Sequence, residues 1–395
     1  MASIPTPSSA SQALSQQLTQ LIQQKIAQES GWISFAQFMH MALYTPGLGY
    51  YSGGAKKFGQ DGDFVTAPEI SPLFAQTIAL QAAQILASGE AENLNANILE
   101  LGAGTGKLAA DLLLELDHLN CLPKQYFILE VSAYLRQVQC KTLQAKLPQN
   151  VYEKLVWLDE LPEKFSGLIL GNEVLDAIPV HILHKTAEGW RERGVSFNNV
   201  KTSEFIWQDS ALSQSNLSEY LIANLPDDLP IGYITEVSPA ACALVRSLAD
   251  CLETGAILLI DYGFGAAELY HPQRNQGTLM CHYQQMAHDN PLTLVGLQDI
   301  TAHVDFTSIA MLCKPASISL SGYVNQAQCL INCGILDVLA KTSPIDMAAY
   351  APLAAAAQKL LSPAEMGELF KVICLTKNID KPLIGFTQGD KAHTL

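Results

Sequence analysis

The chain has 395 residues and a mass of 42.8 kDa, which at about 150 residues per domain suggests two or three structural units. With 49% hydrophobic and only 15% charged residues it can bury a sizeable core, which excludes global disorder. Lys and Arg number 23 against 38 Asp and Glu, and the resulting charge of −15 argues against nucleic acid or an anionic membrane surface as partner, since both need basic patches.

From the N-terminus, residues 1–12 are rich in Ser, Pro and Ala. The first charged side chain is Lys25, so the basic start of a signal peptide and the arginines of a transit peptide are both missing, and the expected location is cytoplasmic. Leu14, Leu18, Leu21, Ile22 and Ile26 recur at helical spacing, and a second helix is expected over residues 34–43 with Ser34 as N-cap. Residues 44–62 hold six glycines and one proline, a loop composition that reads as a lid. TAPEISP at 66–72 ends that loop and launches a helix over 73–86.

Strands and helices then alternate. Strands are expected at 97–101, 125–130, 155–158, 167–170 and 256–261, with helices at 106–116 and 132–147. This order predicts an α/β protein with a mostly parallel sheet. Residues 180–207 have period-2 character and read as an antiparallel insertion. A strand over 318–323, a helix through Leu339, a helix after Ser362 and a strand over 370–375 complete the chain. The divisions drawn from this pattern are 1–90 (N-terminal helices and lid loop), 91–180 (first part of the core), 181–230 (β-rich insertion) and 231–395 (rest of the core and an α/β extension). No window reaches the ~18 apolar residues of a transmembrane helix, so membrane insertion is not expected. Nine cysteines without zinc-finger spacing read as buried reduced thiols, and His181 and His184 face opposite sides of a strand, so no metal is expected.

The strongest local signal is ILELGAGTGKL at 98–108. A strand runs into Gly102, Gly104 and Gly106 and straight on into a helix, whose first N–H groups are free to meet a ligand. A dinucleotide fingerprint would place its third glycine at Lys107, which argues against a nicotinamide dehydrogenase. Glu100 sits inside the strand, and Glu130 ends the next one. This combination resembles motif I of class I S-adenosylmethionine-dependent methyltransferases. The resemblance implies that the glycine turn lies under the methionine and ribose of the cofactor, with Glu100 beside it. It also implies that Glu130 accepts the ribose hydroxyls and that Asp159, ending the third strand, lies near the adenine.

Further stretches carry a more specific resemblance: GYY (49–51), GDFVTAPEISPLFA (62–75), GNEVLDAIPVH (171–181), EVSP (236–239), LLIDYGF (258–264), GTL (277–279), ITAHVDF (300–306) and MGELFKVICL (366–375). Together they resemble the MidA-like family, which includes the mitochondrial complex I assembly-factor arginine methyltransferase. The likeness implies a Rossmann-like class I methyltransferase core with an N-terminal helical cap and an inserted antiparallel β/helical subdomain. It implies S-adenosyl-L-methionine as cofactor and a protein partner, such as a respiratory-complex subunit methylated on arginine. Residues 279–285 (LMCHYQQ) depart from the family pattern, where a basic residue is common.

Glu173 and Asp176 follow a core strand at its carboxyl edge, three residues apart, and are expected to orient and polarise the acceptor nitrogen while Asn172 holds substrate or cofactor. Thr66, Pro68 and Glu69 belong to the loop before the core and are expected at the cofactor. Tyr262 is a candidate for the acceptor channel, and His303 with Asp305 for an acid–base pair. The alternative reading is a non-catalytic assembly factor that retains the cofactor fold. The N-terminal helix and the alanine-rich residues 347–357 are candidate surfaces for a homodimer.

Overall fold

The computed structural model describes residues 4–53, 66–88, 96–197, 204–313 and 318–395. The chain divides into two compact units interleaved along the sequence. One is made of residues 1–64, 176–243 and 264–308, the other of 65–175, 244–263 and 309–395, where the linear reading draws its divisions at 90, 180 and 230. Much of the lid stretch, residues 54–65, lies outside the described residues.

The second unit is an α/β sheet of seven strands: β1 (Asn97–Leu101), β2 (Tyr126–Leu129), β3 (Leu155–Leu158), β4 (Phe165–Asn172), β5 (Leu252–Phe264), β6 (Ser319–Asn325) and β7 (Phe370–Lys377). Their order is β3-β2-β1-β4-β5-β7-β6. β1 to β5 are parallel, and β7 runs antiparallel to both of its neighbours. Central strands of such a sheet are covered on both faces, so they read as unbroken apolar runs rather than alternating ones. That is why AILLI at 256–260 is buried at every position. Helix α1 (Pro72–Leu86) starts with proline at its first turn and Ser71 accepting from the Leu73 N–H at 3.2 Å. With α2 (Lys107–His118) it buries Phe74, Ile78, Leu112 and Leu116 in the same core as Ile98, Leu168 and Leu258. Each such side chain contributes about 1.5–3 kcal/mol of burial. Strand order reverses between β1 and β4, and in open α/β sheets ligands bind outside the carboxyl ends of the strands at that crevice.

The first unit carries helices Ser9–Gln28 and Phe35–Tyr44. Leu18, Ile22 and Ile26 are fully buried, one turn apart each. Ser34 is the expected N-cap and forms a capping box with Gln37. The period-2 stretch lies in an antiparallel sheet built from Ile33–Ser34, His181–Thr186, Gly189–Phe197, Phe205–Ser210 and Ile234–Val237.

Two expectations at the C-terminal end are corrected. The helix through Leu339 is two helices, Gln326–Asn332 and Ile335–Ala340, because Gly334 adopts φ 83° and breaks the run. The helix expected after Ser362 lies before it, at Met347–Leu361, and ends because Pro363 holds Ser362 extended (φ −64°, ψ 129°). A hairpin not expected from the sequence joins Met280–Tyr283 to Met286–His288, and its turn places Gln284 and Gln285 at φ 48° and 63°. None of the nine cysteines forms a disulfide, and Cys121, Cys140, Cys242 and Cys313 are only partly buried. No described helix is long and apolar enough to cross a membrane.

Candidate functional site

All three glycines of the β1–α2 turn occupy the left-handed region, at φ 58° (Gly102), 52° (Gly104) and 81° (Gly106). An ordinary side chain would cost about 1–2 kcal/mol at each. The two outer glycines have neighbours. A Cβ on Gly102 would rest on Val174 at 3.6 Å, and one on Gly106 would come within 3.2 Å of the Gln139 Cα. A Cβ on Gly104 would meet nothing within 4 Å, so the middle of the turn borders open space. Thr105 donates from Oγ1 to Glu69 Oε1, which ties the short helix Ala67–Ile70 to the turn. Thr66 is the N-cap residue of that helix without a side-chain cap bond, and Pro68 is buried in it.

Glu100 points from β1 into the core and is 2% exposed. Burial raises its carboxyl to about 7 and the nearby Glu130 adds to the rise, while a hydrogen bond of 2.8 Å from the Tyr126 hydroxyl pulls the other way. Glu130 stands just past β2, also buried. Its Oε1 accepts from the Ser132 N–H at 2.8 Å and its Oε2 from Gln139 Nε2 at 2.9 Å. Burial pushes its pKa up against both hydrogen bonds. Gln139, on α3 (Ala133–Lys146), was not singled out from the sequence. Its Nε2 also donates to the Gly104 carbonyl at 3.1 Å, and its Oε1 accepts from Trp157 Nε1 on β3 at 3.0 Å. Arg136, one turn earlier, donates to the carbonyls of Glu130 and Leu158 and pairs with the exposed Asp159 carboxylate at 2.9 Å. The carboxyl ends of β1, β2 and β3 are thereby tied together by two side chains of one helix.

At the end of β4, Asn172 Nδ2 donates to Glu173 Oε1 at 3.1 Å, and Asn172 Oδ1 is buried without a hydrogen-bond partner among the described residues. Glu173 itself adopts φ 53°, a conformation a non-glycine residue takes only where its surroundings impose it. The imposing group is Asp261 on β5. Its Oδ2 accepts from the N–H groups of Val174 (3.1 Å) and Leu175 (2.8 Å), and its Oδ1 from Tyr262 N–H (3.0 Å). The Glu173 N–H donates to the Ile260 carbonyl at 2.9 Å. Glu173 and Asp176 therefore stand on an irregular turn, not on a helix. Tyr262 packs edge-on against Phe370, ring centres 5.4 Å apart.

Asp176 belongs to the first unit, where its carbonyl accepts from Ala302 N–H at 3.0 Å. There the GYY stretch places Tyr51, whose hydroxyl donates to Asp299 Oδ1 at 2.7 Å, and burial together with the Asp299 and Asp176 carboxylates raises that phenol's pKa. Asp305 caps the helix beginning at Phe306 by accepting from Ser308 N–H at 3.1 Å, and also accepts from the Tyr270 hydroxyl at 2.8 Å. His303 stacks on Phe264 at 5.3 Å with the rings parallel to 1°. Glu236 of EVSP holds Thr278 of GTL through its N–H and hydroxyl at 2.8 and 2.9 Å. His181 pairs with the buried Glu192 and His184 with Asp209, on different strands. No cluster of three or more metal-ligating side chains occurs among the described residues.

A family model described as "Putative S-adenosyl-L-methionine-dependent methyltransferase" matches residues 77–324. The mouse protein arginine methyltransferase NDUFAF7, mitochondrial, is 31% identical over 377 residues, covering 88% of this chain and 81% of that protein. Its Xenopus tropicalis counterpart is 29% identical, covering 91% and 87%. A crystal structure of a "likely methyl transferase" from Burkholderia thailandensis, bound to S-adenosyl-homocysteine, is 47% identical over the whole of both chains with a TM-score of 0.93. The cytoplasmic expectation is corrected here: the curated relatives are named as mitochondrial proteins, and a start without basic residues does not determine a compartment.

Proposed function

The chain belongs to the family of S-adenosylmethionine-dependent methyltransferases matched over residues 77–324, and from that premise we propose that it methylates an arginine side chain of a protein, using Asn172 and Glu173 at the end of β4 to hold the acceptor. S-adenosyl-L-methionine is its cofactor. The proposed cradle runs along the carboxyl ends of β1, β2 and β3. The open space at Gly104 admits the ligand against bare backbone. In this reading Glu130 would accept both ribose hydroxyls and Asp159 would serve the adenine, while Glu100, Thr66, Pro68 and Glu69 would complete the cofactor's surroundings, Glu69 through its bond from Thr105. The cofactor supplies an electrophilic methyl on a sulfonium, and the protein's task is alignment.

Two features support the acceptor reading. The buried Asn172 Oδ1 lacks a donor, and Glu173 is held in a strained backbone beside it. A guanidinium supplies N–H donors in a planar fork that suits a carboxylate and an adjacent amide oxygen. The cofactor would supply the methyl group, and Glu173 would act as the base that takes the proton the acceptor nitrogen loses. Asp176, three residues on, stays in the proposal as a second carboxylate. The chain's −15 charge favours encounter with a cationic partner. The names of the curated relatives support a protein arginine as the acceptor, and the family likeness a respiratory-complex subunit as the protein that carries it.

The test is incubation of a proteome lacking this protein with methyl-labelled cofactor, followed by identification of the labelled residue. Label on arginine that disappears with Glu173→Gln, while calorimetry shows normal cofactor binding, supports the reading. Label on another residue type, or wild-type turnover by Glu173→Gln, overturns it.

A further inference from the structure

The polar inventory around Gln139 is unusual in how completely it is matched. Gln139 is fully buried, and three segments from different parts of the sheet converge on its amide. The Trp157 indole N–H can only donate, whereas the Gly104 carbonyl and the Glu130 carboxylate can only accept. This fixes the amide orientation: Oε1 faces Trp157 and the two Nε2 hydrogens face Gly104 and Glu130. No other neutral side chain of that length offers two donors and one acceptor from a single planar group. Its backbone also lies close enough to Gly106 that a Cβ there would crowd the Gln139 Cα at 3.2 Å.

We propose that Gln139 is the positioning residue for the cofactor: its amide clamps the Glu130 carboxylate, the glycine turn and Trp157 in one register, so that the ribose-binding acid stays aimed. This rests on the assignment of Glu130 to the ribose hydroxyls. Gln139 touches no reacting atom. It acts through Glu130: burial disfavours the charged carboxylate, while the Ser132 N–H, the Gln139 amide donor and the Arg136 guanidinium favour it, and Glu100 is the other acid that interacts with it.

The clamp predicts distinct pH behaviours for cofactor binding. In the wild type, affinity for S-adenosyl-homocysteine falls as the pH drops and Glu130 takes up a proton. Gln139→Leu removes a donor that favours ionisation, so the fall begins at higher pH, and affinity at pH 7 is about tenfold weaker or more, because polar groups are left unpaired. Gln139→Glu replaces the donor with a second carboxyl facing Glu130. It holds the cofactor best when a proton is shared between the two, so its affinity declines as pH rises, opposite to the wild type.

The experiment is calorimetric titration of the full chain with S-adenosyl-homocysteine from pH 5 to 9 for wild type, Gln139→Leu, Gln139→Glu and Glu130→Ala, with melting curves as a folding check. Opposed pH slopes for wild type and Gln139→Glu are expected. A role in packing alone would scale every affinity by one factor regardless of pH, and that outcome overturns the clamp. If Glu130→Ala weakens binding but both Gln139 variants follow the wild-type profile, the clamp fails and the ribose assignment stands. If Glu130→Ala binds as tightly as wild type, the ribose assignment fails, and the clamp with it. Should Gln139→Leu not fold, Gln139→Glu alone decides through its slope.

Discussion

Glu100 offers a test of how the core tolerates a carboxyl beneath the glycine turn. Replacing it with glutamine keeps an acceptor for the Tyr126 hydroxyl and removes the charge. In the folded protein its pKa is about 7 against an ordinary 4.5, with burial as the main cause. At about 1.4 kcal/mol for each tenfold change, that displacement corresponds to about 3 kcal/mol. The sign follows from which state holds the proton. Below pH 4.5 folded and unfolded chains are both protonated at this position, so the carboxyl is not penalised. Between 4.5 and 7 the unfolded chain releases its proton while the folded chain keeps it, so stability from this group falls as pH rises and levels off above 7. Glu100→Gln should therefore match the wild type near pH 4.5 and exceed it by about 3 kcal/mol at pH 8. At roughly 2 °C per kcal/mol for a unit of this size, the melting temperature should rise by about 6 °C at pH 8. Melting curves of both proteins without cofactor, taken at half-unit steps from pH 4.5 to 8, measure this. An equal difference at pH 5 and pH 8, or a variant less stable at pH 8, would mean that burial of the Glu100 charge does not penalise the fold.

Glu173→Gly should relieve the left-handed backbone and raise stability by about 1 kcal/mol while abolishing labelling of the acceptor; denaturant titration alongside the labelling assay checks both. Asp261→Ala orphans three N–H groups and should destabilise by about 3 kcal/mol or more, with Asp261→Asn losing less, as read from urea midpoints. Gly104→Ala should cost about 1–2 kcal/mol of stability from its φ of 52° and also weaken cofactor affinity, because the methyl enters the open space above the turn. Calorimetry at one pH separates that second effect from the first.

The parts of the site legible in the sequence are those fixed by local chemistry. Three glycines at alternate positions between an apolar strand and a helix can be read because a left-handed turn there admits little else. Glu130 is legible as a candidate because it ends the neighbouring strand. Gln139 is not, because within AYLRQVQCKT nothing distinguishes it from the exposed Gln137; its contacts with Gly104, Glu130 and Trp157 arise only when α3 packs over the turn. Asp261 was visible as a residue at a strand end, but not that its carboxylate is engaged by N–H groups 86 and 87 residues earlier. The hairpin at 280–288 was missed because two glutamines stand at positive φ where Asn-Gly would announce the turn. The helix Met347–Leu361 is not legible because its alanines carry no clear periodicity, and the Ser-Pro that ends it reads equally as a helix start.

The interleaving of the two units bears on how this protein is made and dissected. β4 ends at Asn172 and its parallel neighbour β5 begins at Leu252, and most of what intervenes builds the other unit. Likewise Ile33 and Ser34 find their partners only at Val195 and Gly194, and β7 must slot between β5 and β6, both earlier in the chain. During synthesis each sheet stays incomplete with bare strand edges until distant sequence emerges, which lengthens exposure to aggregation and gives chaperones a reason to engage. No single cut releases either unit whole. Truncation series will therefore report misfolding, and only point substitutions can map what each unit does.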